Sequence, residues 1–187
     1  NVNVLIAEKY SRAANGGVGF AKAAGNYAAQ FYPTSLAQKK GYEQIIWTDA
    51  NNHEYLEEAG TMNIFFRIGD NLITAPNNDR ILDGVTRKSI IDLCKYLKIN
   101  VEIRPISIKE LLSAYDNKSL IEIFGSGTAV VILPIKSFNY KNIHYDLRDN
   151  KDPQSELLKK KIMDIQYNIG EDPFNWRYKV PNLTFSK

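Results

Sequence analysis

Apolar and polar positions along the chain follow two periods, and the shifts between them mark its elements. "VNVLIAE" reads as an opening strand, and strand patterns recur at "EQIIWTD", "HEYLEE", "TMNIFFRI" and "NLITA". Later strands are expected at "NVEIRPI", "LIEIFG", "AVVILPI" and "NIHYDL". Helical spacing governs "NYAAQFYPTSLAQKKG", which Gly41 closes, and "GVTRKSIIDLCKYLK", where Ile90, Leu93, Cys94 and Leu97 form an apolar stripe. In "SIKELLSAYDN", Ser107 and Glu110 fit a capping box, and "QSELLKKKIMDIQYNI" is a final helix before a tail ending "PNLTFSK".

Strands outnumber helices and come in runs rather than in strict alternation. The pattern therefore predicts an α/β (mixed α+β) chain, with a mixed sheet and flanking helices, rather than a doubly wound fold. The 187 residues, 44% hydrophobic and 11% aromatic, suit one globular domain with a sizeable core. A formal charge of +3, spread along the chain, describes a solvated mixed-charge surface and gives no nucleic-acid footprint. The lone cysteine, Cys94, excludes an internal disulfide and falls on the apolar stripe, so it is expected in the core. His53 and His144 lie far apart and have no second cysteine to join them, which makes a metal site unexpected. With no apolar run of membrane length and no targeting pattern, a cytoplasmic enzyme or binding domain is expected, without a membrane partner.

The candidate chemistry begins at "NGGVGFAKAAGNY", residues 15–27. A phosphate-binding loop needs Ser or Thr directly after its lysine and a buried strand before its glycines; here Ala23 follows Lys22 and "SRAANGG" leads in. The dinucleotide fingerprint fails on glycine spacing, and "GSG" at 125–127 lacks the nucleophile-elbow pattern. A lysine that forms a Schiff base is the other use for small residues here: it needs a desolvated site and close packing of a flat aldehyde. The surrounding glycines and alanines leave room for such a ring, although a flexible loop with a surface lysine would look the same.

The loop does not stand alone. "GGVGFAKAAGNY", "EEAGTMNIFF", "ILDGVTRKSIIDL" and "IFGSGTA", in this order, resemble the large C-terminal domain of branched-chain amino acid aminotransferases, which are class IV (fold type IV) pyridoxal-phosphate enzymes. Glu58, Gly60, "NIF" at 63–65, Thr74 and "LDGVTR" at 82–87 fit the class signature, and the resemblance runs from about Val4 to Val180. It implies a mixed sheet partly closed into a barrel, and transamination of leucine, isoleucine or valine with 2-oxoglutarate. It further implies that Lys22 is the Schiff-base lysine, that Tyr27 bonds the cofactor's phenolic oxygen, and that Glu58 faces the pyridine nitrogen. The cofactor phosphate would sit at Val85 and Thr86, at the start of the clearest helix, with Thr128 assisting; the side chain of Val85 also fits a core aliphatic. Arg12 matches an arginine near the phosphate side. Gly60, Thr61 and Ala129 match positions that line the substrate site, and "GTMN" favours branched-chain substrates over those of D-amino acid aminotransferases or aminodeoxychorismate lyases, the alternatives within the fold.

Two departures qualify the resemblance. Family members carry a smaller N-terminal domain that supplies an arginine to the phosphate, so residues 1–187 are expected to be the large domain alone, weak or inactive by itself, or a non-catalytic fragment. Animal relatives place Cys-x-x-Cys after "GTA" where this chain has "VVIL", so no thiol switch carries over. The family forms homodimers, for which Tyr42, Trp47 and Phe66 are candidate contacts, although core packing is the more ordinary use of each.

Overall fold

The computed structural model describes residues 2–181; Asn1 and the 182–187 part of the expected tail lie outside the described residues. Strands β1 (Val2–Ile6), β2 (Gln44–Thr48), β3 (Leu56–Ala59), β4 (Met62–Ile68), β7 (Leu120–Gly127) and β8 (Val131–Tyr140) pair in the ring β3-β2-β1-β8-β7-β4, which β3–β4 pairing closes. Six of the nine strands thus close into a barrel, as a mixed sheet partly closed into a barrel implies. From β4 the sheet continues outward into β5 (Asn71–Thr74) and β6 (Asn100–Ile103), while β9 (Ile143–Asp146) pairs with β8. Pairing is mixed: β1 runs parallel to β2 and β8, and β5 parallel to β6, with antiparallel neighbours elsewhere. Closure depends on a tight turn between β3 and β4, where Gly60 adopts φ +58.

Strand parity explains the uninterrupted run "NIFF". Ile64 and Phe66 join Val4, Ile6, Ile46, Leu56 and Phe138 in one cluster with Ile108, Leu111 and Ala114 of α3 (Ile108–Asp116). Phe65, pointing the other way, stacks on Phe124 at 5.1 Å between ring centres. That outer layer is roofed by Ile90, Ile91, Leu93 and Cys94 of α2 (Val85–Tyr96) and by Leu158 and Ile162 of α4 (Gln154–Gln166). Both faces of β4 are buried, so its sequence carries no alternation. Trp47 and Phe66 are fully buried, and Tyr42 packs against the cluster that Trp47 shares with Ala37 of α1 (Ala24–Lys39). As interface candidates Trp47 and Phe66 are therefore corrected: they are core.

Other local expectations fare unevenly. "HEYLEE" becomes a strand only from Leu56, because the carboxylate of Asp49 gathers the N–H groups of Asn51, Asn52, Glu54 and Tyr55 into a loop. The capping box forms by half: Ser107 accepts the Glu110 N–H at 3.0 Å, but Glu110 turns its carboxylate to Arg104. Cys94 is fully buried, and burial pushes its thiol up to about 12. An aromatic disulfide reagent should leave Cys94 unmodified in the native chain and react fully in denaturant; rapid native labelling would contradict the packing of α2.

Candidate active site

The register of the barrel lays a polar row across its outer face. Trp47 pairs with Glu58, Glu58 with Asn63, and Asn63 with Ser126. Glu58 is 2% exposed and 8% exposed Arg12 pairs with it through Nε. The same carboxylate accepts hydrogen bonds from Asn63 Nδ2 at 3.0 Å and from the Leu82 N–H at 3.2 Å. Burial pushes the Glu58 carboxyl up to about 8, against the Arg12 guanidinium and the Leu82 N–H, which pull it down.

Lys22, Tyr27, Thr61, Arg12 and Glu58 line one narrow cleft with about 20 Å3 of free space. They come from three places in the chain: the loop after β1, the first turn of α1, and the β3–β4 hairpin. Asn26, inside α1, holds the lysine loop by donating through Nδ2 to the carbonyls of Val18 and Ala21, both at 2.8 Å. Gln30 Nε2 donates in turn to the Asn26 carbonyl at 2.9 Å, so both polar residues that α1 buries are hydrogen-bonded. Lys22 itself is exposed rather than desolvated, which corrects the environment expected for it, because the neighbouring loop residues are themselves half open to solvent.

A Cβ on Gly16 or Gly25 would meet open space, as expected of the loop, but Gly19 does different work. A Cβ on Gly19 would lie 2.7 Å from both Cα and O of Arg80 and 2.6 Å from Ala13 Cβ, so this glycine admits the backbone of the 76–83 loop rather than a ring. Arg12 donates to the Gly19 carbonyl at 2.8 Å and to the Arg80 carbonyl. Its recorded partners are thus Glu58 and these two carbonyls, which sets it at the carboxylate rather than at the start of α2.

The start of α2 lies beside the polar row. Asn63 Nδ2 donates to the Leu82 carbonyl at 2.8 Å, and a Cβ on Gly84 would meet Asn63 Oδ1 at 2.1 Å. Gly84 is the N-cap and no side chain caps it, so the N–H groups of the first turn, where Val85 and Thr86 stand, form an uncapped positive end. The side chain of Val85 is 75% exposed, so it is not core. Thr128 and Ala129 are exposed in the turn that follows Ser126 and Gly127, and neither is among the residues that line the Lys22 cleft. Gly60 is buried, with its N–H on the Ile45 carbonyl and its own carbonyl holding Trp47 Nε1, so neither group is left to face a substrate. Asn63 and Asn26 are the residues that sequence reasoning passed over. Both stood inside quoted motifs without a role, Asn26 four residues after Lys22.

Residues 9–138 match the family described as Amino-transferase class IV. A probable branched-chain-amino-acid aminotransferase of Staphylococcus epidermidis is 42% identical over 182 residues, 97% of this chain and 51% of that protein. The branched-chain amino acid aminotransferase structure from Escherichia coli superposes with a TM-score of 0.78 at 29% identity, over 94% of this chain and 56% of that one. That of Thermobaculum terrenum, described in its PLP-form, shares the fold with a TM-score of 0.76 at 22% identity, over 91% of this chain and 52% of that one. The chain thus spans about half the length of the curated relatives it matches. With the family pattern covering most of the chain and the polar row, cleft and uncapped helix start in one region, the chain belongs to the class IV aminotransferase family.

Proposed function

We propose that residues 1–187 are the large, cofactor-binding domain of a pyridoxal-phosphate-dependent aminotransferase acting on branched-chain L-amino acids and 2-oxo acids, cytoplasmic and dimeric when complete. The observation that carries this reading is the convergence of Lys22, Tyr27 and Glu58 on one cleft, with Glu58 fixed at its floor. The names of the relatives support the activity and the substrate class.

The donor set suits the cofactor. Glu58 offers a buried carboxylate for a pyridine N–H, Lys22 an amine for an aldehyde, and Tyr27 a hydroxyl for a phenolic oxygen. The uncapped start of α2, with the hydroxyls of Thr86 and Thr128, offers donors for phosphate. Ser126 adds a buried hydroxyl that has no partner among the described residues. A cleft of about 20 Å3 holds little more than one water, so a flat ring enters only as the exposed side chains of Lys22, Tyr27 and Thr61 swing aside.

When bound, pyridoxal phosphate supplies an electron sink that lets a substrate Cα–H leave as a proton. Lys22 would hold the cofactor covalently and, once released, carry that proton at Nζ. Glu58, whose burial favours its protonated form, would share its proton with the ring nitrogen, and Arg12 would keep the carboxylate in place. Thr61 and Ala129 would border the substrate, where Gly60 contributes through the shape of the turn rather than through a free donor.

The test is to titrate the chain with pyridoxal phosphate, follow the imine absorbance, reduce with borohydride and map the modified peptide. The label is expected on Lys22 and should fall to background in Lys22→Ala, whose stability should stay within about 0.5 kcal/mol because the side chain is exposed. Label on other lysines only would overturn the proposal. With a complete enzyme, coupled assays on L-leucine, D-alanine and aminodeoxychorismate should show turnover on L-leucine.

A further inference from the structure

The 76–83 loop between β5 and α2 matches no motif at Asp79 and Arg80, yet both sides of the proposed site rest on it. Arg80 Nε donates to Glu57 Oε1 at 2.5 Å, a pair whose side chains are 19% and 5% exposed. The Arg80 carbonyl accepts from Arg12, its Cα fills the space left open at Gly19, and the neighbouring Asp79 carboxylate accepts the Gly16 N–H. Two residues on, Leu82 gives its N–H to Glu58 and its carbonyl to Asn63.

Glu57 reaches Arg80 because of a β-bulge. In the β2–β3 ladder Trp47 pairs with Glu58 but Thr48 pairs with Leu56, so Glu57 is the extra residue. In a regular strand adjacent side chains point to opposite faces, so Glu57 would point away from the side where Glu58 meets Arg12. The bulge re-aims it, and burial then raises its proton affinity against the pull of Arg80.

We infer that Arg80 is a positioning residue: through Glu57 it fastens the 79–82 backbone to β3, and that backbone sets both the Lys22 loop and the Glu58 carboxylate. The inference rests on the reading of Lys22 as the cofactor-binding lysine. Arg80 acts through its neighbours rather than on the site directly: it holds its own carbonyl and the Asp79 carboxylate, which accept from Arg12 and Gly16, and the Leu82 N–H, which donates to Glu58.

Three variants separate this role from plain stability: Arg80→Met, Arg80→Lys, and Glu57→Gln/Arg80→Met, which leaves no buried charge without a partner. Each is titrated with pyridoxal phosphate and fixed with borohydride, and amide exchange is followed in residues 13–21 without cofactor. Arg80→Met should weaken cofactor binding about tenfold and speed exchange in the loop, since misplacing a site residue by a fraction of an ångström is enough for such a loss. Arg80→Lys should recover affinity to within about threefold of wild type, because an ammonium can still pair with Glu57. The neutral double variant should melt near wild type yet stay weak in binding. Wild-type affinity and wild-type loop exchange in either methionine variant would overturn the positioning role alone. A wild-type chain that takes no label on Lys22 would overturn both this role and the function it serves.

Discussion

Arg12→Ala should cost the fold about 3–5 kcal/mol at pH 9, the range for breaking one side of a buried ion pair, with a melting temperature lower by roughly 10 °C. The carboxylate left behind is 2% exposed, and its remaining donors, Asn63 Nδ2 and the Leu82 N–H, are neutral. The cost should depend on pH in a definite direction. Glu58 has a folded value of about 8 against an ordinary value of 4.5, so between these limits the folded chain holds a proton that the unfolded chain does not. Stability from this group therefore falls as pH rises through that window and levels off above about 8 in the wild type. Arg12 is a cause that lowers the folded value, so its removal extends the fall to higher pH. At pH 6 Glu58 is protonated in both folded proteins, and the penalty should shrink to less than about half of that at pH 9. Denaturant unfolding of both proteins at the two pH values measures this. A penalty independent of pH would show that Glu58 does not titrate in this range, and Arg12→Met/Glu58→Gln should recover most of the loss by removing both charges.

The site was legible where chemistry is written in local order and obscure where it depends on pairing across the chain. Lys22, Tyr27 and Glu58 stand in recognisable stretches, and the structure brings them to one cleft. The row from Glu58 through Asn63 to Ser126 arises from strand register between segments far apart in the chain, which no local period encodes. Glu57 was unreadable for a related reason: a bulge changes side-chain parity without leaving a mark in the residue pattern. The helix start at Gly84 was read well because its signal is local, whereas Trp47 and Phe66 stayed ambiguous because an aromatic in a strand can serve a core or an interface. Parity settles Phe66, which faces the barrel interior, and the covering helix α1 settles Trp47. Gly19 misled because an absent side chain looks alike whether a ligand or another stretch of backbone fills the space.

Gly19→Ala distinguishes those two uses of an absent side chain. The added Cβ meets backbone atoms of Arg80 at 2.7 Å, and backbone cannot yield as a flexible side-chain tip does. Overpacking of this kind costs about 1–3 kcal/mol. The loops must part, and Arg12 then loses its two carbonyl acceptors, Gly19 and Arg80, together. Cofactor labelling of Lys22 should fall with the stability loss, although alanine adds only a methyl group three residues away. If the glycine served instead to admit the cofactor ring, the same substitution would impair labelling and leave unfolding unchanged. The double variant Gly19→Ala/Arg12→Ala sharpens the distinction. Once Arg12 is gone, parting the loops has no guanidinium contact left to break, so the two costs should not add. The combined loss should fall short of the sum by about 0.5–3 kcal/mol, the range for residues in one hydrogen-bonded network. Strict additivity would place Gly19 outside the Arg12 network and return it to the role of an ordinary loop residue.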